Sequence, residues 1–169
     1  MLSALDSLDR KILRELIQDA RISHLALSER VGLSATACAR RVLQMEKTGI
    51  IKGYAANIDV NALGFPLTVI VHITLDRQNE DALARFETEI HKCPDVISCH
   101  LMSGADDYQV QVLACGMEDY ERIHKQHLSR LPGVARLQSS FAMRTVVKRS
   151  ISPAALIMIR PAGTQRRGK

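Results

Sequence analysis

The chain of 169 residues has no uninterrupted apolar run near the roughly 20 residues that a membrane-spanning helix needs. Its first residues, MLSALDSLDRK, lack a basic start followed by an apolar core. No secretory leader is therefore expected, no membrane partner, and a cytoplasmic location. The four cysteines, Cys38, Cys93, Cys99 and Cys115, contain no C-x-x-C pair and read as reduced thiols. No lysine–histidine cluster marks Cys93 or Cys99 for redox sensing. A P-loop, a dinucleotide fingerprint and a nucleophile elbow are all missing. Asp106 and Asp107 do not replace them, because adjacent residues on a strand or turn point apart and form no acid/base dyad. His124 and His127 lie three apart on a helical stripe with Tyr120 and Leu131, but no carboxylate or thiol accompanies them as a metal ligand. Neither an enzyme nor a metal or cofactor carrier is expected.

What is present is an ordinary globular composition, 46% hydrophobic and 24% charged, long enough for one domain or two small ones. The net charge of +5 is unevenly placed. Residues 1–53 carry 9 Lys/Arg against 6 Asp/Glu, residues 54–150 carry 10 against 12, and residues 151–169 carry 4 against none. A basic head, a mildly acidic body and a basic tail suit a polyanion-binding module joined to a body with a separate task.

The head shows its organisation between Ser23 and Gly49. Ser23 and Ser34 each stand where a side-chain oxygen caps a helix, and Gly32 and Gly49 where a helix ends in a left-handed residue. An earlier helix starts at Asp6, with Asp9 completing a capping box and Leu8, Ile12 and Leu16 at helical spacing. Two helices joined by a tight Gly-containing turn form a helix-turn-helix, whose second helix enters the DNA major groove. On that second helix Leu33, Cys38, Val42 and Met45 share an inward face. Thr36, Ala37, Arg40, Arg41 and Gln44 lie on or near the other face, small at its start and then basic and amide-bearing. Ile50–Asp59 reads as extended chain, a short wing or hairpin arm leading to a boundary near residues 60–66, where Asn, Gly and Pro cluster.

The body alternates strand and helix patterns. Strands are predicted over 68–75, 96–102, 108–114 and 138–147, and helices over 80–92 and 117–131, the latter ended by Pro132-Gly133. The order β-α-β-β-α-β is the ferredoxin-like arrangement, an α+β fold with a four-stranded antiparallel sheet and two helices on one face. The other face includes Ile70, Leu113 and Ala142 among polar residues, a mixture suited to pairing with a second copy. The apolar stretch 154–159, between Pro153 and Pro161, is expected to be covered in a dimer. The basic end, 161–169, is expected to be disordered. The domains are therefore 1–60, 61–150 and an extension 151–169.

These features resemble the leucine-responsive and asparagine-responsive transcription regulators, the Lrp/AsnC family. The likeness spans roughly residues 6–150. It rests on LDSLDRKILREL, then DARIS, LSERVGLSATACARRV, ME and GII with GY, then CHLMSGADDY, LPGV and SSFAM, in order and at matching spacing. The resemblance implies a winged-type DNA-binding domain, a ferredoxin-like regulatory domain, dimers through its sheet, and further assembly to tetramers or octamers. It also implies an amino acid or related metabolite bound between dimers. Carried onto this chain, DNA contact falls on Ser34, Thr36, Ala37, Arg40, Arg41 and Gln44. Effector contact falls on Ser103, Gly104, Ala105, Asp106, Asp107 and Tyr108, with Leu137 and Ser139 closing the pocket. Two departures stand out. Ala35 and Ala37 occupy positions where prolines are frequent, and the carboxylate that often follows the glycine is here Asp106, one position later.

The chemistry is consistent with that assignment. Double-stranded DNA would be held mainly through phosphates, with Arg40 or Arg41 able to contact a guanine edge. The plainer alternative is that one arginine pairs with Glu29 or Glu46 and only orients the helix. The amides of Gly104 and Ala105 can receive a ligand carboxylate, and Asp106 or Asp107 an ammonium. The plainer alternative there is a tight turn at Gly104 capped by Asp107. An effector-independent architectural DNA-binding protein is the competing function.

Overall fold

The computed structural model describes residues 5–149, 151–152 and 154–155. The chain divides into two compact units, with breaks between Asn57 and Ile58 and between Val146 and Val147.

The first unit contains α1 (Ser7–Gln18), α2 (His24–Val31) and α3 (Ala35–Lys47). Each begins where its cap predicts. The Asp6 carboxylate accepts from the Leu8 and Asp9 backbone N–H groups, and the Asp9 side chain accepts in return from the Asp6 N–H. The Ser23 hydroxyl accepts from the Ala26 N–H, and the Ser34 hydroxyl from the Ala37 N–H. These bonds satisfy amides that the first helical turn leaves without partners. Gly32 closes α2 at φ +75°, a conformation an L side chain rarely adopts, and so permits the sharp turn into α3. Ile12, Leu27, Val31, Cys38, Val42 and Met45 form the core of this unit. From Ile50 to Asn57 the chain bends at Ile50 and Ile51 and then continues without regular structure, with no strand among the described residues. The hairpin arm is therefore corrected to a single irregular segment, fastened where the Tyr54 hydroxyl donates to Glu46 at 2.8 Å.

The second unit is β1 (Leu67–Leu75), α4 (Glu80–Ile90), β2 (Val96–Leu101), β3 (Tyr108–Ala114), α5 (Met117–Gln126) with a 3-10 turn at Leu128–Arg130, and β4 (Val134–Phe141). The antiparallel sheet has the order β2-β3-β1-β4, the expected ferredoxin-like topology. Alternation along β1 and β3 buries Val69, Val71, Ile73 and Leu75, and Tyr108, Val110, Val112 and Ala114, against Phe86 and Ile90 of α4 and Tyr120 and Ile123 of α5. Thr68, Ile70, His72 and Thr74 alternate to the opposite face, as do Gln109 and Gln111.

Two boundaries differ from expectation. The second helix of this unit ends at Gln126, and the buried Leu128 and Leu131 are carried by the 3-10 turn and the residue after it. The last strand runs over Val134–Phe141 and not 138–147, because its register is set by β1, with Val71 opposite Ser139 and Ile73 opposite Leu137. The apolar residues beyond it, Met143, Val146 and Val147, stand exposed. The expected apolar stretch 154–159 lies outside the described residues except for its first two positions, and the basic end 161–169 lies wholly outside them.

Candidate functional site

The exposed face of α3 follows from its buried one. Cys38, Val42 and Met45, at helical spacing, are each 3% exposed or less. Thr36, Arg40 and Gln44 are consequently exposed, with Ser34 exposed at the start and Ala37 partly covered. Leu43, 49% exposed, and Lys47 extend the same face by a turn. Sequence reasoning passed over both, although i+3 and i+4 steps from Arg40 reach Leu43 and Gln44, and a further step reaches Lys47. The small residues near the N-terminus of α3 allow close approach, and Arg40, Gln44 and Lys47 supply donors for phosphates or base edges.

Arg41 is placed differently. Its Nη1 lies 2.8 Å from Asp6 Oδ2 and 2.8 Å from Asp9 Oδ1, with the side chain 27% exposed. The partners anticipated for such a pairing, Glu29 and Glu46, are not the ones used. Hydrogen bonds to Asp9 and Asp6 raise the Arg41 pKa. The Asp9 backbone N–H, and then Arg41, hold the Asp6 carboxyl below its ordinary value. A second tie joins α2 to α1, Arg30 Nη1 to Glu15 Oε2 at 3.0 Å.

In the second unit the residues expected to make one pocket fall on two sides of the sheet. Ser103, Gly104 and Ala105 form the exposed tip of the β2–β3 hairpin. Gly104 has no positive φ and, among the described residues, no atom within 4 Å of the place a Cβ would take, so neither its backbone nor the packing they provide requires glycine there. Asp106 turns to the open sheet face, with Oδ2 3.2 Å from His72 Nδ1 and Oδ1 3.5 Å from the Thr74 hydroxyl. Asp107 is buried and accepts from the Leu75 N–H at 2.7 Å. Tyr108 lies under α4, stacked on Phe86 with ring centroids 4.3 Å apart and donating to Glu87 at 2.9 Å. Burial, and then the Glu87 carboxylate, push its phenol pKa upward. Leu137 packs against the same core, and the Ser139 hydroxyl bonds to the Tyr120 hydroxyl on α5. The hairpin tip and Asp106 are therefore together on the accessible side, while Asp107, Tyr108, Leu137 and Ser139 serve the interior. Their side-chain direction depends on strand phase and bonding partners that a motif does not specify.

The histidines considered for metal go to separate partners. His124 Nδ1 is 3.1 Å from the Ser129 hydroxyl, and His127 Nε2 is 3.9 Å from Asp95 Oδ2. An open groove of about 370 Å³ beside α4 is lined by Ala84, Arg85, Thr88, Glu89 and Pro132 and contains none of the predicted residues. Among the described residues, no helix is long and apolar enough to cross a membrane.

A capped helix-turn-helix with a basic outer face, joined to a ferredoxin-like unit, defines a two-unit DNA-binding regulator. Residues 5–52 match the family model for winged helix-turn-helix DNA-binding, and residues 68–151 match that of the Lrp/AsnC ligand binding domain. A Bkd operon transcriptional regulator of Pseudomonas aeruginosa is 40% identical over 152 residues, covering 90% of this chain and 99% of that protein. The leucine-responsive regulatory protein of Escherichia coli is 41% identical over 142 residues, covering 84% of this chain and 87% of that one. A transcriptional regulator from Neisseria meningitidis, solved as a complex with L-methionine, superposes with a TM-score of 0.85 at 31% identity, covering 91% of this chain and 99% of that chain. The chain belongs to the Lrp/AsnC family of DNA-binding transcriptional regulators.

Proposed function

We propose that this regulator binds an amino acid at the tip of the β2–β3 hairpin and acts on DNA as a homodimer or a higher oligomer. Residues 1–60 are the DNA-reading head, 61–150 the effector-binding and oligomerising body, and 151–169 an extension. In the head, Ser34, Thr36, Ala37, Arg40 and Gln44 face the duplex, joined by Lys47. Two such heads read half-sites about one helical turn or a multiple apart, which makes the operator approximately palindromic.

The observation that carries the effector reading is Gly104, a glycine that neither φ nor packing among the described residues demands. A ligand arriving from outside accounts for it, because glycine leaves the tip open to close approach. A zwitterion needs donors for its carboxylate and an acceptor for its ammonium. The Gly104 and Ala105 amides and the Asp106 carboxylate provide that pair within a few residues. L-methionine in the Neisseria relative, which shares the fold, supports this ligand class. Asp107, Tyr108, Leu137 and Ser139 hold the hairpin and its sheet in place from beneath.

The open sheet face supports pairing with a second copy. Ile70 and Leu113 lie there among His72, Thr74, Gln109, Gln111 and Gln138, a surface with apolar area and many groups able to form hydrogen bonds across an interface. Ligand bound between dimers then changes DNA affinity to the extent that it prefers one assembly over another.

Thermal-shift and calorimetric titration with L-methionine and L-leucine test the effector. Light scattering on the same samples tests assembly. Heat on mixing, with a raised melting temperature, is expected. Absence of both with every common amino acid, together with a DNA affinity that none of them alters, would defeat the effector reading and leave an architectural DNA-binding protein.

A further inference from the structure

We propose that Arg41 is a positioning residue and not a DNA contact: bridged to Asp6 and Asp9, it sets the roll of α3 and hence the direction in which Arg40 and Gln44 are presented.

The argument begins at the first residues of α1. Asp6 uses Oδ1 to accept from the Leu8 and Asp9 amides, both at 2.8 Å, and leaves Oδ2 for Arg41. Asp9 uses Oδ2 to accept from the Asp6 amide at 3.1 Å and leaves Oδ1 for Arg41. The capping box thus orients two carboxylates through one oxygen each and leaves the other oxygen of each for Arg41. The bonds that start α1 also fasten α3, which lies 32 to 35 residues further along the chain.

Apolar packing cannot do this alone. Cys38, Val42 and Met45 decide which face of α3 turns inward, but such contacts are non-directional and fix its final angle less sharply than a directional bond does. Charge-assisted hydrogen bonds at one edge of the helix are directional and resist that rotation. Two carboxylates around one guanidinium also leave the cluster with a net negative charge, which phosphates repel. To enter a groove, Arg41 would have to abandon both bonds. Arg40, the residue before it on the helix, is exposed and with Lys47 carries the positive charge of the face.

The chemistry of the bridge supplies a discriminating variant. One nitrogen, Nη1, reaches both carboxylates. A lysine ammonium also offers several hydrogens from one nitrogen and so can span both carboxylates, whereas it lacks the rigid planar fork with which a guanidinium meets a guanine edge.

The test uses the full-length chain and a duplex that the wild-type protein selects from a random DNA pool, with Kd read by fluorescence anisotropy across a KCl series. Circular dichroism confirms that each variant is folded at the temperature used. Arg40→Ala should weaken binding and make the slope of log K against log salt shallower by about 1 for each chain bound. Arg41→Ala should weaken binding roughly tenfold or more, in the range set by a lost charge-assisted hydrogen bond, with the slope unchanged. Arg41→Lys should recover most of that loss. Asp6→Asn combined with Asp9→Asn should also weaken binding, although it removes two negative charges from a DNA-binding head, and Asn preserves the cap at position 6. The proposal fails if Arg41→Ala lowers the slope as Arg40→Ala does, if Arg41→Lys binds as poorly as Arg41→Ala, or if the double Asn variant binds DNA more tightly. The Asp variants decide the matter even if Arg41→Ala does not fold.

Discussion

Asp107 Oδ2 accepts a hydrogen bond from the Leu75 backbone N–H at 2.7 Å, where the register between β1 and β4 shifts between Thr74 and Leu75. Pairing of β1 with β3 ends at Ile73 opposite Tyr108, and a carboxylate from the neighbouring hairpin satisfies the Leu75 amide beyond it. Asp107 also donates its own N–H to the Ile73 carbonyl at 2.9 Å and accepts from the Met102 N–H at 2.8 Å. One residue therefore joins the base of the β2–β3 hairpin to β1. The preceding carboxylate, Asp106, faces the opposite side and touches His72 and Thr74. Two adjacent acidic residues at the entry to β3 thus divide into a structural group and an accessible one.

Removing the structural carboxylate should be costly. Asp107→Ala leaves the buried Leu75 amide without a partner, a loss of about 1–3 kcal/mol. Asp107→Asn keeps an acceptor oxygen and should cost less. Chemical denaturation of the three proteins gives the order wild type, Asn, Ala. Equal stability of the Ala variant and wild type would show that the bond contributes nothing.

The accessible carboxylate should behave in the opposite way. Asp106→Asn removes the charged acceptor proposed for the ligand ammonium while disturbing only part-exposed contacts with His72 and Thr74. Its melting temperature without ligand should stay within about 2 °C of wild type, as expected for loss of a surface ion pair. Calorimetric affinity for L-methionine should fall by roughly tenfold or more, the scale of a charge-assisted hydrogen bond. Undiminished affinity would remove Asp106 from the site.

The elements legible in the sequence are those governed by local chemistry. Asp6, Ser23 and Ser34 cap helices with side chains that reach only two or three residues along the chain, and Gly32 supplies the conformation that ends α2. The alternation of Val69, Val71, Ile73 and Leu75 marks β1, and its burial follows. What escaped depends on distant partners. The apolar residues between Phe141 and Val147 drew the predicted β4 too far along the chain, whereas pairing with β1 selects Val134–Phe141. Leu137 and Ser139 stand on the phase of β4 that faces the core and Tyr120, a direction that the motif alone does not specify. Arg41 looks like its neighbour Arg40 in the sequence, and only the fold brings Asp6 and Asp9 to it.

The same distant packing settles which thiols react. Burial, followed by the charge of Glu87, pushes the Cys99 thiol up to about 11. Cys93 is raised by burial and by Asp95 and Glu89. Little thiolate exists at either position near neutral pH, and the thiolate is the nucleophile. Alkylation with iodoacetamide at pH 8, read by mass spectrometry, should modify the exposed Cys115 before Cys93 or Cys99. Preferential modification of Cys99 would revive a redox role for that residue.

Acid should loosen the head through Asp6. Its carboxyl titrates below its ordinary value of 3.8 in the folded chain, through the Asp9 amide and then Arg41. A carboxyl with a depressed folded pKa contributes stability that is fully present above its unfolded pKa and is lost as pH falls through the folded value. Asp6→Asn keeps the cap but carries no charge at any pH, so its difference from wild type isolates this ionisation. The urea midpoint of wild type should exceed that of Asp6→Asn between about pH 5 and 7, and the gap should narrow as the pH drops below 3.8. Arg41 stays protonated throughout this range, so the narrowing comes from the carboxyl side of the bridge. A gap that persists unchanged at the lowest pH would mean that the Asp6 charge adds nothing to the fold, and the Arg41 bridge would then rest on Asp9 alone.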